Sequence, residues 1–141
     1  MMAANGVEIL LVEDNAHDAE LTLRALKQRN LANRVHLCRD GAEAIAFFDD
    51  VSAGSTPKVV LLDLKLPKID GLEVLQRLKR DTRTKAIPVV VLTSSREEPD
   101  IEKAYALGAN SYIVKPVDFE AFARAVSDVG LYWLLLNHPP Q

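Results

Sequence analysis

Residues 59–63 read VVLLD, an apolar run followed at once by a carboxylate, and this stretch decides the fold. A strand that is covered on both faces is apolar at nearly every position, whereas a half-exposed strand alternates apolar and polar side chains. The end of such a run marks the point where the backbone leaves the core and a charged side chain can reach solvent. We therefore predict that Asp63 lies at the rim of a sheet.

The same pattern recurs along the chain, because apolar runs alternate with segments of helical period. The predicted strands are residues 7–12, 34–38, 59–62, 89–92 and 111–114, and the predicted helices are residues 16–29, 41–51, 71–80, about 97–107 and 118 to about 136. Parallel strands need long, right-handed crossover connections, which helices of this length supply. The alternation predicts an α/β protein with a five-stranded parallel sheet that helices cover on both faces.

Local signals support the predicted helix boundaries. Three pairs resemble or match capping boxes, in which an acid or hydroxyl residue precedes a glutamate by three positions: Asp40 and Glu43, Asp70 and Glu73, and Ser95 and Glu98. We also expect Asp118 to cap the last helix, Gly108 to follow the end of the fourth helix and Pro88 to open the fourth strand.

Composition limits the class of protein. With 141 residues and 48% hydrophobic composition, the chain is expected to form one domain over residues 1–141. Its single cysteine, Cys38, cannot form an internal disulfide, so a reducing, cytoplasmic location is expected. The N-terminus does not resemble a signal peptide, and no apolar run approaches the roughly 20 residues of a membrane-spanning helix. The net charge of −3 argues against a nucleic-acid partner, and we interpret the basic cluster at residues 79–85 as a solvated helix end.

Polar side chains follow most of the predicted strands. They are Glu13 and Asp14 after the first strand, Asp63 after the third, Thr93 and Ser94 after the fourth, and Lys115 after the fifth. Open α/β sheets bind ligands outside the carboxyl ends of their strands, so we expect these groups to converge. Carboxylates with open coordination positions suit Mg²⁺, and a carboxylate beside that metal can attack phosphorus to form an aspartyl-phosphate. Lys115 could pair with the acid and then with phosphate, and Thr93 could donate a hydrogen bond to a phosphoryl oxygen.

The motifs at these positions are LVEDN (residues 11–15), LDLKLP (62–67), DG (70–71), VLTS (91–94) and YIVKP (112–116). Together they resemble the CheY-like receiver domain of two-component response regulators over a core of about residues 7–129. The resemblance implies a flavodoxin-like (βα)5 fold with strand order 2-1-3-4-5. It further implies a response regulator that accepts a phosphoryl group from a histidine kinase in a Mg²⁺-dependent reaction, without turnover of an external substrate.

The resemblance also implies roles for single residues. Asp63 corresponds to the phosphoacceptor, with Thr93 and Lys115 as the hydroxyl and the lysine that meet the phosphoryl group. Glu13, Asp14 and Asp63 correspond to the metal-binding acids, and the backbone carbonyl of Lys65 to a further metal ligand. Thr93 and Tyr112 correspond to the family's switch pair, in which the tyrosine turns inward when the threonine moves toward the phosphate. The family's cis peptide is expected at Lys115-Pro116, since proline is the residue that tolerates that isomer cheaply.

Some positions depart from the common pattern or stay open. Glu13 stands where an aspartate is often found, and its longer arm could reach a metal through water. Lys65 and Ser95 stand two residues after the acceptor and after Thr93, where neither supplies an acid or amide to orient a hydrolytic water. We expect slow spontaneous loss of phosphate. Asn15 and Asp18 are open between two interpretations, the start and cap of the first helix or a part in kinase docking.

The C-terminal segment is predicted to form an apolar helical extension over residues 130–136. Residues 131–136 are apolar on every side, whereas a surface helix carries a single apolar stripe. A contiguous exposed apolar patch usually marks an interface, and tryptophan and tyrosine are enriched at interface hot spots. We therefore expect a homodimer through the last helix and the fifth strand, with the interface residues Tyr132, Trp133, Leu135 and Leu136. The segment also resembles that of short, stand-alone receivers paired with phytochrome-type histidine kinases.

Two other functions are open from sequence. A metal-dependent phosphatase of α/β fold would also use acids, Thr or Ser and Lys, but such enzymes usually carry a second aspartate where Lys65 stands. A purely structural interaction module would not need the full set of acid, hydroxyl and lysine.

Overall fold

The computed structural model describes residues 7–27, 34–50, 56–94 and 99–128. One sheet contains the strands β1 (Ile9–Val12), β2 (Val35–Cys38), β3 (Val59–Asp63), β4 (Val89–Thr93) and β5 (Ser111–Val114). The helices that alternate with them are α1 (Ala16–Lys27), α2 (Gly41–Asp50), α3 (Gly71–Arg80), α4 (Asp100–Ala106) and α5 (Phe119–Asp128). All neighbouring strands are parallel and their order is β2-β1-β3-β4-β5, which confirms the predicted α/β fold with strand order 2-1-3-4-5.

The inner strands β1, β3 and β4 are buried at every position, since they have a strand on either side and helices on both faces. The outer strands β2 and β5 include partly exposed positions. Burying one Val, Leu or Ile side chain fully contributes roughly 1.5–3 kcal/mol, so the inner strands supply much of the stability that holds the rim in place.

Alternate residues of each strand enter two separate cores, as the period of two along a strand requires. Ile9 and Leu11 of β1 pack with residues of α1 and α5, including the fully buried Phe122. Leu10 and Val12 pack with residues of α2, α3 and α4. The sheet is therefore covered by α1 and α5 on one face and by the other three helices on the opposite face.

The chain leaves β1 toward β2 on one side and later returns to β3 on the other side. In an open α/β sheet this reversal leaves a crevice at the carboxyl ends of the two strands. The register pairs Val12 with Leu62, so the residues that follow them, Glu13 and Asp63, emerge side by side. Sheet topology thus decides where the acidic side chains meet.

The predicted capping residues have mixed outcomes. Asp40 Oδ1 accepts the Glu43 N–H at 2.8 Å, and Glu43 Oε1 in return accepts the N–H of Arg39 at 3.0 Å. Asp118 Oδ1 accepts the Ala121 N–H at 2.7 Å, which confirms that cap. Asp70 occupies the N-cap position of α3, but its side chain makes no cap hydrogen bond, so the predicted capping box does not form. The N–H of Gly71, the first helical residue, donates to the Leu64 carbonyl at 3.1 Å, so the preceding loop satisfies one N–H at the start of α3.

Other boundaries follow the sequence closely. Gly108 adopts a φ of +112° after α4, the left-handed conformation expected of a C-terminal glycine. Pro88 directly precedes β4, and its carbonyl accepts the N–H of Val60 at 3.0 Å.

The description of α5 stops at Asp128, so the extension at residues 130–136, with Tyr132, Trp133, Leu135 and Leu136, lies outside the described residues, as does the Ser95 and Glu98 pair. Among the helices of the described part, none combines the length and apolar character needed to cross a bilayer.

Candidate functional site

The carboxyl ends of β1 and β3 bring Glu13, Asp14 and Asp63 together. One carboxylate oxygen of each lies within 4.8 Å of the other two. Glu13 and Asp63 are buried, with 1% and 5% of their surfaces exposed, whereas Asp14 is exposed. The three predicted acids therefore form one cluster, in which two members are shielded from water and one faces solvent.

Lys115 follows β5 and places its ammonium group among these acids. Its Nζ lies 2.8 Å from Glu13 Oε1 and 3.0 Å from Asp63 Oδ2. The Lys115-Pro116 peptide is cis, as expected, and the backbone N–H of Lys115 donates to the Thr93 carbonyl at 2.8 Å. Burial disfavours the charged lysine, but the nearby carboxylates of Glu13 and Asp63 outweigh it and hold the pKa of Lys115 above its ordinary value.

Burial has the opposite effect on Glu13, whose pKa it raises to about 7. The ammonium of Lys115 lowers this pKa in part, while the nearby Asp63 raises it further. Glu13 Oε2 accepts the N–H of Asn15 at 3.2 Å. The buried Oε1 lies at ion-pair distance from Lys115, but it accepts no hydrogen bond of good geometry from the described residues. A cation beside this carboxylate would favour its ionised form.

Both carboxylate oxygens of Asp63 have a defined N–H donor. Asp63 Oδ2 accepts from Lys115 Nζ, and Oδ1 accepts the backbone N–H of Lys65 at 3.1 Å. The side chain of Lys65 is exposed and extends toward Asp100, with 3.6 Å between Nζ and Oδ2. The backbone of Lys65 is thus tied to the acid cluster, while its side chain is directed to the first turn of α4.

The loop between β3 and α3, residues 64–70, is held at several points. The Gly41 N–H approaches the Pro67 carbonyl at 3.4 Å, and Lys68 Nζ lies 3.3 Å from Asp40 Oδ2. Lys68 has a φ of 68°, an uncommon conformation for a residue with a side chain. These contacts position the loop that carries Lys65.

Thr93 and Ser94 complete the rim at the end of β4. Thr93 is buried, with 2% of its surface exposed, and Ser94 is exposed. Together with the acids, Asn15, Lys65 and Lys115 they line a cleft of about 300 Å³. The structure therefore gathers all the predicted residues of the acceptor and metal sites into one cleft.

Tyr112 is the exception among the predicted site residues. It lies on β5 opposite Val91, two positions before the level of Thr93, and it is half-buried. Its ring makes an edge contact with the ring of Tyr105, with 6.3 Å between the centroids and an interplanar angle of 87°. Tyr112 borders a second cavity of about 310 Å³ along β5 and α5, and it does not line the acidic cleft.

Asp18 is a site residue whose place sequence reasoning did not find. Its backbone N–H is capped by Asn15 Oδ1 at 2.9 Å, so Asn15 is the helix cap. The carboxylate of Asp18 instead lies 3.2 Å from Lys115 Nζ and lines the cleft. An acid in the first turn of a helix is ordinarily explained by the helix dipole, so sequence alone carried no signal for this contact.

Comparison with known proteins agrees with this geometry. The sequence profile of the response regulator receiver domain matches residues 9–127. The bacteriophytochrome response regulator AtBRR is 52% identical, with a TM-score of 0.83 over 95% of this chain and 99% of that one. The Mn²⁺-bound form of response regulator Rcp1, a protein of Synechocystis, is 38% identical, with a TM-score of 0.71 over 94% and 98% of the two chains. The phosphorylated cyanobacterial phytochrome response regulator RcpA is 39% identical, with a TM-score of 0.74 over 96% and 99%.

The chain therefore belongs to the response regulator receiver domain family. Its close structural neighbours include phytochrome response regulators, in agreement with the subgroup that the C-terminal segment resembles. The acidic cluster of this chain and the Mn²⁺-bound relative are both consistent with a divalent metal site in this fold.

Proposed function

We propose that the chain is a response regulator that takes a phosphoryl group from a histidine kinase on Asp63 and signals through protein contacts. The observation that carries the proposal is the environment of Asp63. Its two oxygens are oriented by Lys115 and by the Lys65 N–H, and two further acids lie beside it in an open cleft. A solvated acid at a strand end would not need this arrangement.

In the proposed reaction an Asp63 oxygen attacks the phosphorus of the donor. An oxygen–phosphorus bond forms, and the bond from phosphorus to the donor histidine nitrogen breaks with its electron pair left on that nitrogen. Lys115 then pairs with a phosphoryl oxygen in place of the carboxylate, and the Thr93 hydroxyl donates to another. Little covalent chemistry is asked of the protein, since positioning and electrostatics supply most of the catalysis of phosphoryl transfer.

Mg²⁺ fits the residues that the cleft offers. The donors are hard oxygens, from the side chains of Glu13, Asp14 and Asp63 with the backbone carbonyl of Lys65, and the cleft has room for water and phosphate. Lys115 faces several acids with one positive charge, which leaves the cleft with unbalanced negative charge. When bound, Mg²⁺ would neutralise charge on the phosphoryl oxygens; the Mn²⁺ bound to Rcp1 supports a divalent ion of this type.

The proposed output passes through Thr93 and Tyr112. Movement of Thr93 toward the phosphoryl group would free space behind it, and Tyr112 would rotate inward from its edge contact with Tyr105. That rotation would reshape the cavity along β5 and α5. We place the homodimer contact on this side, through the last helix and β5 with Tyr132, Trp133, Leu135 and Leu136.

For the donor we propose a histidine kinase of the phytochrome type. The support is the likeness to AtBRR and RcpA, which are phytochrome response regulators by name. The cytoplasmic location, the single domain over residues 1–141 and the lack of a nucleic-acid partner stay predictions. In this proposal the chain is a phosphoacceptor and not an enzyme with external turnover.

The test is to incubate the chain with acetyl phosphate and Mg²⁺ and to measure its intact mass. We expect a gain of one phosphoryl group in the wild type, none in Asp63→Asn and little without Mg²⁺. The exposed Asp70→Asn variant is the matched control and should be phosphorylated like the wild type, because Asp70 lies outside the cleft. A folded wild type that gains no mass would refute the proposal, and catalytic release of phosphate from external esters would favour a phosphatase instead.

A further inference from the structure

The ammonium group of Lys115 is surrounded by three carboxylate oxygens, and it donates hydrogen bonds to two of them, Asp18 Oδ2 and Asp63 Oδ2. Nζ lies 2.8 Å from Glu13 Oε1, 3.0 Å from Asp63 Oδ2 and 3.2 Å from Asp18 Oδ2. The function proposed above gives roles to the first two acids and none to Asp18. The third contact joins the first turn of α1 to the loop after β5, across 97 positions of sequence.

The backbone of Asp18 is fixed independently of this contact. Its N–H donates to Asn15 Oδ1, and its carbonyl accepts the Thr22 hydroxyl at 3.0 Å. The carboxylate is therefore not needed to start the helix and is directed toward Lys115. The two side chains are largely shielded, with 33% of Asp18 and 18% of Lys115 exposed, so the pair is screened less than an ion pair at the surface.

The three acids differ in what phosphorylation would do to them. Glu13 would bind the metal ion and Asp63 would carry the phosphoryl group, so the attraction of each carboxylate for Lys115 would change. Asp18 has no such second partner in the proposed reaction. It can keep one N–H bond of Lys115 engaged while another moves from the Asp63 carboxylate to a phosphoryl oxygen.

We propose that Asp18 is a positioning residue that holds the ammonium of Lys115 at the phosphoryl site. The inference rests on the proposed phosphorylation of Asp63. It differs from the ordinary explanation of a first-turn acid, in which Asp18 only complements the positive end of the helix dipole. If Asp18 only complements the helix dipole, its removal should change the phosphorylation rate equally with and without Lys115. If Asp18 positions Lys115, its removal should change the rate only when Lys115 is present.

A double-mutant cycle separates the two explanations. The first-order rate constant of Asp63 phosphorylation is measured at saturating Mg²⁺ over a range of acetyl phosphate, in the wild type, Asp18→Ala, Lys115→Ala and the double variant. We expect Asp18→Ala to lower the rate constant about two- to tenfold when Lys115 is present, and by less than about 1.5-fold when Lys115 is already alanine. An equal loss in both backgrounds would overturn the proposal.

Glu20→Ala is the matched control for the loss of charge on α1. Glu20 is exposed and pairs with Arg24 at 3.5 Å, away from Lys115, so its removal should leave the rate constant unchanged in both backgrounds. A loss as large as that of Asp18→Ala would show a general charge effect and overturn the positioning role. A wild type that takes up no phosphoryl group would instead overturn the proposed function, and the inference with it.

A second measurement does not depend on phosphoryl transfer or on the folding of the double variant. In lysine-labelled protein, the ammonium ¹⁵N signal of Lys115 should be protected from exchange in the wild type and in Glu20→Ala. We expect Asp18→Ala to shift this signal or broaden it by faster exchange. An unchanged Lys115 signal in folded Asp18→Ala would contradict the contact on which the proposal depends.

Discussion

Gly71 offers a sharp test of how the β3–α3 loop supports the acceptor. A side chain at this position would collide with backbone: its Cβ would lie 2.5 Å from the Leu64 Cα and 2.9 Å from the Leu64 carbonyl carbon, and it would also overlap the Asp63 carbonyl oxygen. Real Cβ contacts are essentially never closer than 3.0 Å. In Gly71→Ala, the backbone of Asp63 and Leu64 therefore has to move away from α3 by about 0.5–1 Å.

The magnitude follows from this displacement. Overpacking of a buried contact by one methyl group costs about 1–3 kcal/mol, even though alanine is otherwise the better residue in a helix. A displacement of about 1 Å at a reacting group can cost up to roughly a hundredfold in rate. We expect Gly71→Ala to be less stable by about 1–3 kcal/mol and to be phosphorylated roughly ten- to a hundredfold more slowly.

The assay compares thermal unfolding with the rate of phosphorylation by acetyl phosphate. Gly108→Ala is the control, because Gly108 has a φ of +112° and the three atoms nearest to a Cβ there belong to the flexible side chain of Lys79. That variant should lose comparable stability through backbone strain but keep the wild-type rate. A normal rate in Gly71→Ala, or an equal loss of rate in Gly108→Ala, would refute the reasoning.

Three further predictions concern pH, the lifetime of the phosphate and assembly. Burial raises the pKa of Glu13 from its ordinary value of 4.5 to about 7, so the folded protein loses stability as Glu13 ionises. Without divalent cations the free energy of unfolding of the wild type should therefore fall by about 2.5 kcal/mol relative to that of Glu13→Gln between about pH 5 and pH 8.5, and parallel stability curves would contradict this. The Lys65 side chain extends to Asp100 and offers no acid or amide near Asp63, so the phosphate on Asp63 should last minutes to hours after the donor is removed, as measured by intact mass. A half-life of seconds would refute this prediction. Trp133→Glu should yield a monomer by light scattering, and an unchanged mass would refute the proposed dimer.

Much of the fold could be predicted from the sequence. The apolar runs at β1, β3 and β4 are continuous because those strands are buried on both faces, so the apolar pattern of the sequence predicts their positions to within two residues at each end. Helix starts at Asp40 and Asp118 were predictable because a cap is a local contact over three residues. The helix start at Asp70 was also predicted correctly, but the capping hydrogen bond expected from its side chain is absent. The Leu64 carbonyl accepts the N–H of Gly71 there, a contact that depends on the path of the loop and is not local in sequence.

Part of the candidate site could likewise be predicted from the sequence and part could not. Asp63, Thr93 and Lys115 could be placed at one rim from sequence, because parallel strands present their carboxyl ends at the same edge. The position of Tyr112 against Tyr105, outside the acidic cleft, could not, since it depends on packing between β5 and α4.

By itself the sequence determined which residues end the buried strands, and hence which acids, hydroxyl and lysine are available at the rim. Only the tertiary structure decided which of these groups are desolvated and which form ion pairs. Burial raises the pKa of Glu13 while leaving Asp14 in solvent, and the approach of α1 to the loop after β5 gives Lys115 its third carboxylate, Asp18. The reason is physical: strand ends are set by local hydrophobicity, whereas desolvation and ion pairing depend on which distant segments the fold brings within a few ångströms.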